Sequence, residues 1–184
     1  MLNRRAFALS LPLMPAALPV FAQADPAAEL LKKGGVAIVI RHARTVAGVG
    51  DPDGFRIDLC STQRNLSEEG RAQAKKIGEW FRRHGLQPRA VQVSAWCRCK
   101  DTADLAFGRH LVWPALNSFF DGRSSEPRQT AALKEALKGI APGRFEAWVT
   151  HQVNITALTG ENPAQGEGLI VDAAGKVVGR TSFN

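Results

Sequence analysis

Three apolar runs in this 184-residue chain end in side chains that could handle an anion. Val36-Ala37-Ile38-Val39-Ile40 stops abruptly at Arg41-His42-Ala43-Arg44. Ala90 to Val93 gives way to Ser94-Ala95-Trp96-Cys97-Arg98, and Phe145 to Thr150 runs directly into His151. An arginine offers a planar fork that grips phosphate oxygens in pairs and stays charged at any working pH. A neutral imidazole is a competent nucleophile once its other nitrogen is held by a hydrogen bond. Arg41, His42, Arg98 and His151 together therefore suit phosphoryl transfer. One histidine would take the phosphoryl group, the two arginines would hold its oxygens, and the other histidine would help neutralise charge in the transition state. No run of His, Cys, Asp or Glu has metal-ligand spacing, so a reaction without metal or other cofactor is expected.

These residues need a frame that brings strand ends together. The unbroken β-branched run at residues 36–40 reads as a strand buried on both faces of a parallel sheet. Pro26 to Lys33 reads as a short amphipathic helix, and Ser67 starts another, with Glu68 and Glu69 in its first turn and Gly85 closing it. A helix is expected over Asp101 to Phe107, and a strand over Leu111 to Leu116. A helix from Arg128 carries Leu133, Ala136, Leu137 and Ile140 at helical spacing. Leu169 to Val171 and Lys176 to Val178 flank Asp172-Ala173-Ala174-Gly175 as a hairpin. The alternation predicts an α/β three-layer sandwich: a mostly parallel central sheet, helices on both faces, and a C-terminal antiparallel hairpin. Ligands of such sheets bind beyond the carboxyl ends of the strands, where the three polar termini would meet.

The order of these motifs resembles the histidine phosphatase superfamily, also called phosphoglycerate mutase-like, across nearly the whole chain after residue 24. Arg41-His42-Ala43 matches the family's R-H-G or R-H-A motif, which implies His42 as the phosphorylated nucleophile. Ser94, Arg98, Thr102 and Ala103 match its S-x-x-x-R-x-x-x-T-A segment, and Val149-Thr150-His151 its strand-terminal histidine. Gln63 to Arg71 is similar to the family's helix entry near the phosphate, so Arg64 is a candidate substrate ligand. Thr45 is a second candidate, its hydroxyl either donating to phosphate or stabilising a turn. Many members supply a glutamate that protonates the leaving alcohol. The corresponding stretch, Ala115 to Asp121, has none; Asp121, the nearest acid, is the candidate catalytic donor in its place, and Glu126 is the next acid. Without a donor, substrates with good leaving groups, such as phosphohistidine or aryl phosphates, would be favoured. The three cysteines and Asn154 to Gly160 also resemble an exported subgroup that includes the lipopolysaccharide core heptose phosphatase.

Composition narrows the partners. Lys plus Arg 24 against Asp plus Glu 17 gives a formal charge of +7, which suits nucleic acid, a membrane surface or a phosphorylated small molecule. Residues 1–24 begin with Arg4 and Arg5, continue through an apolar stretch broken by three prolines, and end in Ala22-Gln23-Ala24. This reads as a cleaved export signal, similar to the twin-arginine type, with a general secretory signal as the alternative. Residues 25–184 would then form one domain, of charge +5 once the two arginines are removed. A periplasmic or secreted location disfavours nucleic acid. A phosphorylated small molecule or a lipopolysaccharide sugar phosphate is the expected partner, and no integral membrane segment is expected in the mature chain. Cys60, Cys97 and Cys99 leave an odd thiol in an oxidising compartment. Cys60 could bridge either of the others if the loops meet, or all three could be buried thiols. His84 and His110 match no motif and are expected to face solvent, while Glu167 suits either a hairpin or the site. A metal-independent phosphatase acting through phosphohistidine is the leading reading. A non-catalytic phosphate- or envelope-binding domain and a mutase-type phosphoryl transferase are the alternatives.

Overall fold

In the computed structural model, β1 (Val36–Arg41) lies at the centre of a six-stranded sheet, and its first five residues are buried. Residues 24–120 and 122–184 are described. The expected export signal, apart from Ala24, and Asp121 therefore lie outside the described residues. Strand order is β3 (Leu111–Val112), β2 (Val91–Val93), β4 (Phe145–Thr150), β1, β5 (Gly168–Asp172), β6 (Val177–Thr181). The β3-β2-β4-β1 portion is parallel; β5 and β6 add an antiparallel hairpin. This is the predicted α/β sandwich.

Alternation along β1 sorts its side chains onto two cores. Ile38 and Ile40 pack with α1 (Pro26–Lys33), α2 (Glu68–Arg83) and α3 (Cys97–Phe107), whose Leu31, Trp80, Phe81 and Ala103 are buried there. Ala37 and Val39 face the opposite layer, where Leu133 and Leu137 of α4 (Glu126–Lys138) and Ile155 and Leu158 of α5 (Gln152–Thr159) close the core. Burial of each such leucine, isoleucine, valine or phenylalanine side chain contributes about 1.5–3 kcal/mol. Two glycines let the backbones approach. A Cβ on Gly78 would stand 2.2 Å from the Ala106 carbonyl oxygen, and one on Gly70 1.8 Å from that of Arg44. Gly70 thereby seats the start of α2 directly against the turn that follows His42.

Three elements differ from expectation. Helix α3 begins at Cys97, four residues before the expected Asp101, and has no local side-chain cap. Its first N–H donates instead to Gln63 Oε1 at 2.9 Å, a distant residue invisible to local pattern. The third strand is only two residues long and gives way to a short turn at Pro114, which has no N–H to extend a ladder. Helix α5 was not anticipated: Val153, Ile155, Thr156 and Thr159 are β-branched and disfavour an isolated helix. Tertiary burial of Ile155 and Leu158 decides in its favour.

Candidate active site

Parallel pairing of β1 with β4 in the register Arg41 opposite Thr150 brings the next residues, His42 and His151, out of the sheet at one level. The His42 N–H donates to the Thr150 carbonyl at 3.0 Å, and the imidazole centroids lie 5.5 Å apart. Strand β2 ends one residue before Ser94, whose N–H donates to the Val149 carbonyl at 3.0 Å. Ser94 Oγ and His151 Nε2 are hydrogen-bonded at 2.7 Å. Both histidines are almost wholly buried, at 2% and 4% exposure.

His42 Nδ1 lies 2.8 Å from the carbonyl of Ala43. A carbonyl only accepts, so Nδ1 carries the proton and Nε2 keeps its lone pair. Burial pushes the His42 pKa down to about 3; the Ala43 hydrogen bond opposes that shift, while Arg98, Arg41 and Arg64 add to it. Burial likewise holds His151 well below the usual histidine range, with His42 and the three arginines adding to the effect. Near neutral pH both rings are uncharged, the form a nucleophilic imidazole requires.

Arg41, His42, Arg64, Arg98 and His151 line one cavity of about 250 Å³, together with Asp51 and Ser118. The Nε–H groups of all three arginines have no hydrogen-bond partner among the described residues. Buried donors are normally paired, so three unpaired guanidinium donors around one cavity mark a place for an anion. A larger cleft of about 720 Å³ shares Ser118 with it and is walled by Phe55, Trp96, Asn117 and Arg128. The Phe55 and Phe120 rings, 6.5 Å apart, span the two.

Of the residues singled out in the sequence, Arg41, His42, Arg64, Arg98 and His151 converge. Thr45 does not: its hydroxyl accepts from Gln165 Nε2 at 3.2 Å, it pairs across an isolated bridge with Leu66, and it is not among the cavity's lining residues. Thr45 thus sits in a bridge to Leu66, beside Gln165 and outside the cavity's lining. Glu167 also lies off the site, accepting from the Ala164 N–H and from Arg180. The two other histidines are half-buried rather than solvent-facing. His84 lies against Trp80, its Nδ1 2.8 Å from that residue's carbonyl, and His110 Nδ1 pairs with Asp104 Oδ1 at 2.7 Å.

Asp51, which no sequence motif singles out, also lines the cavity. Its Oδ1 accepts from Arg98 Nη1 at 2.9 Å and from the Arg64 N–H at 2.9 Å, and both side chains of the ion pair are 3% exposed. Its only signal was a place in a Gly/Asp/Pro loop, which looks solvated. Cys60 and Cys97 are joined as a disulfide, which ties this loop to the start of α3, while Cys99 is a buried free thiol with its pKa pushed up to about 12 by burial. Among the described residues no group of three His, Cys, Asp or Glu side chains is disposed to hold a metal ion, and no helix is long and apolar enough to cross a membrane.

The profile of the Histidine phosphatase superfamily (branch 1) matches residues 37–165, a span that contains every residue of the cavity. The chain belongs to the histidine phosphatase superfamily. Solved structures share the fold at low identity. The protein histidine phosphatase SixA, determined as a tungstate complex, superposes with a TM-score of 0.53 at 17% identity, covering 80% of this chain and 97% of its own. A candidate phosphohistidine phosphatase SixA from Agrobacterium tumefaciens gives 0.55 at 17% identity over 79% and 97% of the two chains. The protein TTHB049 from Thermus thermophilus gives 0.55 at 20% identity over 79% and 98%. No curated protein matches in sequence. Within the superfamily frame, Arg41-His42-Ala43 is this histidine phosphatase domain's version of the R-H-G motif, and the bulkier Ala43 is accommodated, fully buried.

Proposed function

We propose that this histidine phosphatase domain is an exported phosphomonoester hydrolase working through phosphohistidine. The observation that carries the reading is His42: its Nδ1 proton is committed to the Ala43 carbonyl, and it shares a cavity with three incompletely paired arginines. Nε2 attacks phosphorus, the bond from phosphorus to the ester oxygen breaks, and the leaving oxygen takes a proton. Water then attacks the phosphohistidine, the P–N bond breaks, and inorganic phosphate leaves with His42 restored. Arg41, Arg64 and Arg98 spread the charge of the transferring group, and His151, 5.5 Å away, completes the cradle. None of these steps needs a metal ion. The adjoining cleft offers room for the leaving group, for which a sugar phosphate of the lipopolysaccharide core is our preferred substrate.

Export is supported by the signal-like residues 1–24 and by the Cys60–Cys97 disulfide, since such bonds persist in oxidising compartments. A second reading takes protein phosphohistidine as substrate. It is favoured by the fold shared with SixA and by the missing glutamate, because an imidazole leaves phosphorus more readily than an alkoxide does.

Brief incubation with a radiolabelled aryl phosphate followed by rapid quench tests the reading. We expect an acid-labile, base-stable label on the wild-type chain, none on His42→Ala, and turnover reduced on the order of ten-thousandfold or more in that variant, with chelator harmless to the wild type. Unchanged turnover in His42→Ala would end the enzymatic interpretation.

A further inference from the structure

An anion-binding cavity gains nothing electrostatically from a carboxylate, yet Asp51 is built into this one. Taking a carboxylate out of water is costly unless it is fully paired. Asp51 Oδ1 has two donors, Arg98 Nη1 and the Arg64 N–H, while Oδ2 has no hydrogen-bond partner among the described residues. Among the described residues no other Asp or Glu lines the cavity; Arg41, Arg64, Arg98, His42 and His151 are the titratable or charged groups that face it there. The two imidazoles are poor proton sources. His42 has committed its one proton to the Ala43 carbonyl, and His151 is buried uncharged beside Ser94. The leaving oxygen still needs a proton.

We propose that Asp51 carries that proton. The proposal rests on the phosphohistidine reading and deepens it. A phosphate dianion on these arginines would meet the carboxylate with like charge, whereas a monoanion enters with one proton on a phosphoryl oxygen and can share it with Asp51 Oδ2. As His42 Nε2 bonds to phosphorus and the ester bond breaks, Asp51 passes this proton to the leaving oxygen, releasing a neutral alcohol and leaving a dianionic phosphoryl group on the His42 imidazolium, whose Nδ1 proton stays hydrogen-bonded to the Ala43 carbonyl. The carboxylate, now free, accepts a proton from the water that attacks phosphorus. That proton departs on the inorganic phosphate, and the cycle closes with Asp51 unprotonated. The hydrogen bonds to Oδ1 hold the carboxyl group in one orientation throughout, so Oδ2 is the oxygen available for transfer.

Asp51→Asn keeps an oxygen for the Arg98 and Arg64 donors but removes the negative charge and the capacity to carry a proton, and the loss of charge bears on both esters alike. Single-turnover formation of phosphoenzyme is compared for an alkyl phosphate, whose alkoxide must be protonated, and for p-nitrophenyl phosphate, whose phenolate leaves unaided. We expect a loss of about 100- to 10,000-fold with the alkyl ester and less than about tenfold with the aryl ester. Asp51→Glu, which restores a carboxyl, should recover more of the alkyl turnover than Asp51→Asn does. Equal losses on both esters, or a glutamate variant no better than asparagine, overturn the proposal alone and make Asp51 a counterion of Arg98. Absence of any phosphoenzyme from the wild type removes the phosphohistidine reading, and the proposal with it.

Discussion

The two walls of the cavity are built on opposite principles. The sheet wall, bearing His42, Ser94 and His151, is positioned by backbone pairing: Arg41 opposite Thr150 and Val93 opposite Val149 leave little freedom in where the following residues emerge. The loop wall, bearing Asp51 and Arg64, has almost no core of its own. Val46, Val49, Ile57 and Leu59 along it are exposed. It is held by side-chain bonds such as Gln63 Nε2 to the Arg56 and Ile57 carbonyls and Asn65 Nδ2 to the Cys60 carbonyl, and by one covalent tie from Cys60 to Cys97. A site thus takes its nucleophile from the rigid half of the fold and its substrate-facing groups from a half that must be fastened down.

Cutting the tie is the strongest way to break this contrast. The disulfide spans 37 residues, and in the chain-entropy picture its loss from Cys60→Ser/Cys97→Ser costs about 4 kcal/mol of stability. Denaturant unfolding should show that loss. Kinetics should show KM rising more than kcat falls; a matching collapse of kcat would mean that the sheet wall also depends on the bond.

Acid should act through the sheet wall. His42 has a folded pKa of about 3 and His151 is also depressed, against about 6.5 in the unfolded chain. Between those values the unfolded state binds the extra protons, so the stability these histidines retain above about pH 6.5 is lost as pH falls toward 3. The slope approaches about 1.4 kcal/mol per pH unit for each histidine at its steepest. Thermal midpoints measured from pH 7 to pH 4 should fall, and fall less in His42→Gln. Equal slopes in the two proteins would mean that His42 is not buried uncharged.

The smallest effects separate two residues of the loop side. Arg64→Ala should raise KM about tenfold, roughly 1.4 kcal/mol of lost binding. Thr45→Val should cost on the order of 1 kcal/mol of stability through the hydrogen bond from Gln165, with KM unchanged. A KM effect at Thr45 equal to that at Arg64 would place its hydroxyl on the phosphate after all.

Legibility in the sequence follows the same division. The strand ends carrying Arg41, His42 and His151 were readable because a strand buried on both faces announces itself as a continuous apolar run and stops where polarity returns. Arg98 was readable through the resemblance of Ser94, Arg98, Thr102 and Ala103 to the superfamily's S-x-x-x-R-x-x-x-T-A segment. Asp51 was not, because nothing local distinguishes an acid in a polar loop from one that the loop folds inward against Arg98. Helix α5 and the first turn of α3 escaped for a related reason: burial of Ile155 and a cap from Gln63 stabilise them, and both come from distant parts of the chain.

By itself, then, the chain's order of residues determined which groups end which strands, since apolar periodicity is a local property. Only the tertiary structure decided which partners those groups meet. Cys97 and Cys99 show why: two residues apart on a helix, they point about 200° apart. Cys97 therefore turns toward the loop and bonds Cys60, while Cys99 turns into the core, its Sγ 3.5 Å from His151 Nε2. Spacing sets that opposition, but which side meets Cys60 depends on where a loop 37 residues away comes to rest.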